Sequence, residues 1–169
     1  TGAISLQPIT ISGNPSAITH EIPASPLSMT AGNDKTFEVG QAAALQSVEM
    51  ITNGANDITT NGIRLKIDTN TTHMTWDSTI ANATITGTAW GDHVTSDAIT
   101  YEQNDTVAVI TIGTNFSAGD TLNISGLKFA NFSLGSASTT GPIKLYLGGA
   151  NDTTAEAQDN KSITIYGKL

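Results

Sequence analysis

Apolar and polar residues alternate over short stretches along most of the chain, which is the pattern of β-strands and not of helices. In the clearest stretch, Ile63, Leu65 and Ile67 alternate with Arg64 and Lys66. This spacing predicts a strand with one buried and one charged face. Similar stretches recur at roughly even spacing between Gly, Asn and Asp turns, and nine to eleven strands are predicted in all.

Residues 99–132 carry the strongest strand signal. The β-branched run at residues 107–112 predicts a strand buried on both faces. Turn residues at 115–120 follow, and apolar residues resume the alternation at 122–127. We therefore predict a β-hairpin here, at the centre of the core.

Another strand is predicted at residues 46–52. Val48 and Met50 are apolar and Glu49 lies between them, so the alternation places the carboxylate on the face opposite the two apolar side chains. With no long helical pattern to cover a parallel sheet, these strands predict an all-β fold. The expected architecture is an antiparallel β-sandwich of jelly-roll or immunoglobulin-like type, with an extended N-terminal strand.

The N-terminal segment differs from the rest of the chain. Residues 1–12 alternate loosely as a strand, and residues 13–33 are rich in Pro, Ser, Ala and Gly without a sustained period. We divide the chain into an N-terminal strand and Pro-rich connector, residues 1–33, and a β-sandwich domain, residues 34–169. An ordinary first strand of the sandwich and a detachable arm that pairs with a neighbour's sheet edge are both compatible with this pattern. The residues of such a donor strand would be Ala3, Ile4, Leu6, Ile9 and Ile11.

Composition narrows the range of partners. The net charge is −8 and only seven Lys and Arg residues are present, which argues against nucleic-acid binding. The chain has no cysteine, so neither a disulfide framework nor a thiolate metal site can form. No apolar run approaches the roughly 18 residues of a membrane span. Because the sequence starts at Thr1 without Met, we expect an exported, extracellular or cell-surface protein whose signal peptide has been removed.

Eight Asn-x-Ser/Thr triplets are present. They are candidate N-glycosylation sites of an exported protein, although a Thr-rich composition also produces such triplets by chance. The asparagines are Asn70, Asn82, Asn104, Asn115, Asn123, Asn131, Asn151 and Asn160.

The sequence offers little catalytic chemistry. His20, His73 and His93 have no metal-binding spacing, and no nucleophile motif is present, so we predict that the protein is not an enzyme. We also expect that no cofactor is required. If an ion binds, we expect calcium in the acidic loop near the C-terminus, since Ca²⁺ prefers the oxygen ligands that loops supply. The candidate ligands are Asp152, Glu156 and Asp159.

From residue 62 onwards the order of segments resembles a family of exported β-sandwich modules from environmental bacteria and archaea. The shared phrases are GIRLKI, MTWD, YEQNDTVAVITI, FSAGDTLNISGLKFANF and DNKSITI. The overall plan also resembles filament-forming proteins of the TasA type, archaeal bundling pilins and tubular cannula subunits. That resemblance implies a structural protein that polymerises by donating its N-terminal strand to another copy of itself, in a filament, pilus, tube or surface layer. The alternative is a secreted carbohydrate-binding or cohesin-like module, with a binding face formed by aromatic residues.

Overall fold

The computed structural model of this chain describes residues 27–46, 49–54, 58–70, 72–133 and 142–168. Within these ranges no helix is present, and fourteen short strands form. The strands are β1 Ser28–Ala31, β2 Lys35–Glu38, β3 Ala44–Leu45, β4 Glu49–Thr52, β5 Ile63–Ile67, β6 Thr75–Trp76, β7 Thr84–Thr86, β8 Ile99–Glu102, β9 Val107–Ile110, β10 Thr121–Ser125, β11 Lys128–Ala130, β12 Ile143–Tyr146, β13 Ala157–Gln158 and β14 Ile163–Tyr166. The prediction of an all-β fold is confirmed.

A five-stranded antiparallel sheet has the order β13-β12-β5-β9-β8. At its centre, Leu65 of β5 is opposite Leu145 of β12 and Ala108 of β9, and all three side chains are buried. Arg64 and Lys66 remain partly exposed, as the alternation predicts. All four residues of β9 are buried, which confirms that this strand is covered on both faces.

Two smaller antiparallel sheets have the orders β1-β4-β10-β7 and β3-β11-β6. They share one register, because Ile124 is opposite Glu49 and Lys128 is opposite Leu45. The segments β10 and β11 are therefore two parts of one bent strand, and β4 and β3 pair with its first and second parts. Gly126, with a φ of 86°, lies at the bend of this strand, where a residue with a Cβ atom would be strained.

The first and last parts of the described chain meet in a parallel pair, β2 with β14. The turn before β2 fixes this pairing, since the Asp34 carboxylate accepts hydrogen bonds from the backbone N–H of Ser162 (2.8 Å) and from its hydroxyl (3.1 Å). These bonds lower the pKa of Asp34. The pair brings Phe37 of β2 and Ile165 of β14 side by side in the core.

Side chains from all the sheets meet in one apolar core. Phe37 stacks on Phe132 with ring centroids 4.5 Å apart and meets Phe129 edge-on at 5.9 Å. Phe129 in turn stacks on Trp76 at 4.8 Å. Aromatic contacts of this kind add about 0.5–1.5 kcal/mol each beyond their apolar burial. Antiparallel sheets packed on one core are consistent with the predicted β-sandwich.

The predicted hairpin within residues 99–132 is wrong. β9 pairs with β5 and β8, whereas β10 pairs with β4 and β7 in another sheet. The turn itself forms as predicted, since the Ser117 N–H donates to the Asp120 carboxylate at 2.7 Å and Gly119 has a positive φ. Phe116 is buried just before this turn. The segment between β9 and β10 therefore crosses from one sheet to another, a distance of about 10 Å for packed sheets, instead of joining neighbours.

Two details of the N-terminal half also differ from expectation. Residues 13–33 are predicted as a connector, but Ser28–Ala31 forms β1 and pairs with β4, so the sandwich includes this part. In β4, Glu49 and Ile51 are buried and Met50 is 41% exposed, the reverse of the predicted phase. The predicted domain boundary after residue 33 falls in the turn between β1 and β2. Residues 1–26 lie outside the described residues.

Candidate functional site

The predicted donor residues, Ala3, Ile4, Leu6, Ile9 and Ile11, lie outside the described part of the chain. The structure therefore describes only the acceptor side of strand donation. The question is which sheet edges present backbone groups that have no partner among the described residues. Outer strands are the places where an added strand binds, because each presents a row of N–H and C=O groups.

On one side of the molecule, β1 and β13 are the outer strands of two different sheets and lie next to each other. The Asn160 side chain covers part of this side, since its Oδ1 accepts a hydrogen bond from the Ala31 N–H at 3.2 Å. β13 has two residues, too few to hold an added strand. This side is a poor acceptor.

On the other side, the chain before β7 passes along the start of β8. The Ile99 N–H donates to the Ala81 carbonyl and the Ala83 N–H donates to the Asp97 carbonyl, both at 2.9 Å. The Tyr101 hydroxyl adds a bond of 2.7 Å to the carbonyl of Ile80.

Burial, with a smaller effect from the charges of Asp77 and Asp105, raises the pKa of Tyr101 to about 12, so this hydroxyl stays a donor at neutral pH. Together, the hydrogen bonds from the segment before β7 cover the first half of β8, so an added strand has no access there.

The pair of β2 and β14 is different. In the described part of the chain, each has the other as its sole ladder partner. Lys35 and Val39 of the β2 segment donate to the carbonyls of Ser162 and Tyr166. In a parallel ladder alternate residues point away from the partner, so the backbone groups of Ile163 and Ile165 point outward from β14.

The outward side of β2 is partly covered, because the Glu38 N–H donates to the Gln41 side chain at 2.6 Å. No ladder partner of β14 other than β2 is present within the described ranges. The side chains of Ile163 and Ile165 are buried in the core, while Tyr166 is 58% exposed. Among the described residues, the outer edge of β14 therefore combines backbone groups without a ladder partner and buried apolar side chains beneath them.

The predicted calcium loop is divided between two places. Asp152 closes the turn after β12, where its carboxylate accepts the N–H groups of Gly148 (2.7 Å) and Thr154 (3.0 Å). Bonds from Thr154 and Gly148 lower the pKa of Asp152. Burial first, and the charge of the nearby Asp152 second, raise the pKa of Glu156. Asp159 instead points into the protein and is 4% exposed.

Among the residues that the structure describes, no group of three His, Cys, Asp or Glu side chains converges on one point. Calcium binding by Asp152, Glu156 and Asp159 together stays a prediction.

The sequence did not predict that a second acidic residue, Glu49 on β4, lies near Asp159. Glu49 is 1% exposed, and its Oε2 atom has no hydrogen-bond partner. Burial first, and the charge of Asp159 second, raise the pKa of Glu49 well above its usual value. The alternation places Glu49 on the same face of the strand as Ile51, and Met50 on the opposite face. Because both faces carry an apolar residue, the sequence alone does not show which face is buried.

The candidate glycosylation sites lie mostly on the surface. Asn123 is partly buried on β10, and Asn131 has its amide engaged, since Nδ2 donates to the Thr75 hydroxyl at 2.9 Å. The exposed asparagines are Asn70, Asn82, Asn104, Asn115, Asn131, Asn151 and Asn160.

The aromatic residues of the alternative, sugar-binding hypothesis do not share one environment. They are Trp76, Trp90, Tyr101, Tyr146 and Tyr166. Trp76 is buried, so it cannot stack on a ligand. Trp90 is 40% exposed in the turn after β7, and Tyr166 is exposed at the end of β14. Tyr146 is partly exposed on β12, with the Lys66 ammonium 5.6 Å from the centre of its ring.

Comparisons with protein-family models, with curated proteins and with solved structures found no match to this chain. The resemblance to exported β-sandwich modules and to filament subunits therefore stays a prediction. A search of the described residues also found no helix long and apolar enough to cross a membrane.

Proposed function

We propose that this protein is an extracellular structural subunit that polymerises by strand donation. Residues Ala3 to Ile11 of one copy add to the outer edge of β14 in the next copy. The polymer is a filament, pilus, tube or surface layer outside the cell. No catalytic step is involved.

The observation that carries the proposal is the outer edge of β14. Backbone groups of Ile163 and Ile165 point away from β2, and an added strand would bond to them. Buried apolar side chains lie beneath this edge, so donated Ile and Leu side chains would extend an existing core. Their burial contributes roughly 25 cal/mol for each Å² of apolar surface removed from water.

Chain length also supports donation between copies. Residues 12–26 separate the proposed donor from the first described residue, Leu27. A segment of this length spans at most about 50 Å when extended, which is enough to reach a neighbouring copy. Donation from head to tail does not close on itself and therefore propagates.

Truncation tests the proposal directly. A variant lacking residues 1–12 should stay folded by circular dichroism and should form no polymers by negative-stain electron microscopy and size-exclusion chromatography. Leu6→Asp should have the same effect, because the apolar face of the donor is lost, while Ser5→Asp on the opposite face serves as the matched control. Polymers of normal length from the truncated variant would refute strand donation.

Cysteine cross-linking tests the acceptor edge, since the natural chain has no cysteine. Double variants would place one cysteine at Ile4, Leu6 or Ile9 and the other at Thr164 of β14. Oxidised polymers should run as ladders on a non-reducing gel. The control pairs each donor cysteine with Thr86→Cys on β7, and equal ladders from the control would show that β14 is not the acceptor.

The alternative, a secreted carbohydrate-binding or cohesin-like module, predicts a monomer that binds a ligand. Its most exposed aromatic side chains among the described residues are Trp90 and Tyr166. Microscopy of material purified from its native source separates the two proposals, since a binding module forms no regular polymer. Glycopeptide mass spectrometry of the same material tests the exposed asparagines as glycan sites.

A further inference from the structure

Glu49 occupies a position where a strand normally carries an apolar residue. Its neighbours across the ladders are Ala31 on β1 and Ile124 on β10. A carboxylate that is taken out of water without a partner is destabilising. Glu49 nevertheless has one oxygen, Oε2, that is buried and unbonded. Oε2 is therefore a candidate ligand atom.

A second buried carboxylate lies close by. Asp159, just before β14, lines the same small cavity as Glu49, and its charge acts on Glu49. The backbone N–H of Asp159, directly after β13, donates to the Ile143 carbonyl at 3.0 Å, which holds the residue beside β12. The two carboxylates therefore come from distant parts of the chain and are fixed by different sheets.

The cavity has the size of a single small occupant. Its volume is about 10 Å³, close to the minimum that one water molecule needs. Amide side chains of Asn33 and Gln46 also line it, and Gln46 donates to Glu49 Oε1 at 2.5 Å. Phe129, Ile143 and other apolar side chains complete the wall.

We propose that the cavity between Glu49 and Asp159 binds one calcium ion. The ion would receive the unbonded Oε2 of Glu49 and a carboxylate oxygen of Asp159, with amide oxygens, backbone carbonyls or water completing its shell. This donor set contains oxygen alone, without His or Cys, which suits calcium rather than zinc or copper. A cation also offsets the cost of a buried Glu49 carboxylate, which a neutral water molecule cannot do.

Two lysines are the competing source of positive charge. Lys35 and Lys161 line the cavity and are partly exposed. Among the described residues, ion pairs join Arg64 to Glu102 and Lys144 to Asp68, and the His93 imidazole lies 3.1 Å from the Asp120 carboxylate. None of these contacts involves Glu49. If a lysine ammonium occupied the cavity, the thermal unfolding midpoint would not depend on calcium. A calcium titration therefore separates the two occupants.

This site differs from the acidic loop predicted from the sequence, because it uses Glu49 instead of Asp152 and Glu156. It is also independent of strand donation. A polymer that binds no calcium would support strand donation alone, and a monomer that binds calcium would support the calcium site alone.

The test uses the full chain, stripped with EDTA and then titrated with CaCl₂. Calcium at about 100 times its dissociation constant should raise the thermal unfolding midpoint by about 5–10 °C. Calcium content after dialysis, measured by elemental analysis, should be one ion per chain. Mg²⁺ at the same concentration should have a smaller effect, because it requires octahedral geometry and releases its water reluctantly.

The variant Glu49→Gln keeps the shape of the side chain and should abolish both the calcium-dependent shift and the bound ion. Asp152→Asn is the matched control and should keep both. Unchanged unfolding of the natural chain with calcium, or an undiminished response of Glu49→Gln, would overturn the proposal. Loss of the response in Asp152→Asn alone would overturn it in favour of the acidic loop. If Glu49→Gln does not fold, Asp159→Asn takes its place, and the calcium content of the natural chain still decides.

Discussion

The indole N–H of Trp76 donates a hydrogen bond of 3.0 Å to the backbone carbonyl of Leu65. Trp76 belongs to β6 in the three-stranded sheet and Leu65 to β5 in the five-stranded sheet. The bond therefore links two sheets through the core, and both side chains are buried. A tryptophan suits this position because it fills space against Phe129 and also supplies a donor.

We expect Trp76→Phe to lower the free energy of unfolding by about 2–4 kcal/mol, since it leaves a small cavity and a buried carbonyl without this donor. Chemical denaturation followed by far-ultraviolet circular dichroism measures the change. Trp90→Phe is the matched control, because Trp90 is 40% exposed, and it should change stability by less than about 0.5 kcal/mol. Equal effects of the two substitutions would contradict the proposed role of the bond.

Gly87 lies where β7 ends and the chain turns against the start of β10. Its φ is 118°, and a Cβ atom there would clash with the carbonyl oxygen of Thr121. The same oxygen accepts the Ala89 N–H at 3.1 Å, so the backbone has little room to move.

We expect Gly87→Ala to cost about 2–4 kcal/mol, from backbone strain together with overpacking. Gly91→Ala is the control for strain alone, since Gly91 has a φ of 95° and open space around its Cβ position. It should cost about 1–2 kcal/mol. Urea denaturation of both variants measures the difference, and a Gly87 variant as stable as the Gly91 variant would show that the turn relaxes easily.

The period-two alternation was enough to predict β5, because this strand has one buried and one polar face and only one register satisfies both. It failed for β4, where Glu49 and Ile51 compete with Val48 and Met50. Both faces of that strand carry an apolar residue, so local sequence cannot decide which faces the core. The opposing strand decides, since Leu122 and Ile124 of β10 bury their side chains on the same face as Ile51.

Local turn chemistry predicted the turn at Ser117–Asp120 correctly but not what it joins. A turn records the conformation of its own few residues, whereas sheet membership depends on contacts far away in the sequence. The buried Phe116 and Ile112 show that the preceding segment passes through the core. For the same reason the pair of Glu49 and Asp159 could not be predicted, because more than a hundred residues separate them. The sequence likewise could not show that β14 is an outer strand, because this follows only from the order of strands in the sheets.

The ion pair between Asp68 and Lys144 predicts how stability depends on pH. Lys144 Nζ lies 2.8 Å from Asp68 Oδ2, where the end of β5 meets β12. Burial alone would raise the pKa of Asp68, but the bonds from Lys144 and the Asn70 N–H outweigh it and lower the pKa. The pKa of Lys144 is correspondingly raised, first by the same hydrogen bond.

An acid whose pKa is lowered by folding stabilises the fold above its unfolded pKa, and this stabilisation is lost as the pH falls through the folded pKa. We therefore expect Asp68→Asn to cost about 0.5–1 kcal/mol at pH 7 and nothing at a pH below the folded pKa. Lys144→Gln should remove most of the same dependence. Urea midpoints of the natural chain, both single variants and the double variant, measured from pH 7 downwards, give the coupling energy. A coupling that is independent of pH would contradict the ion pair as its origin.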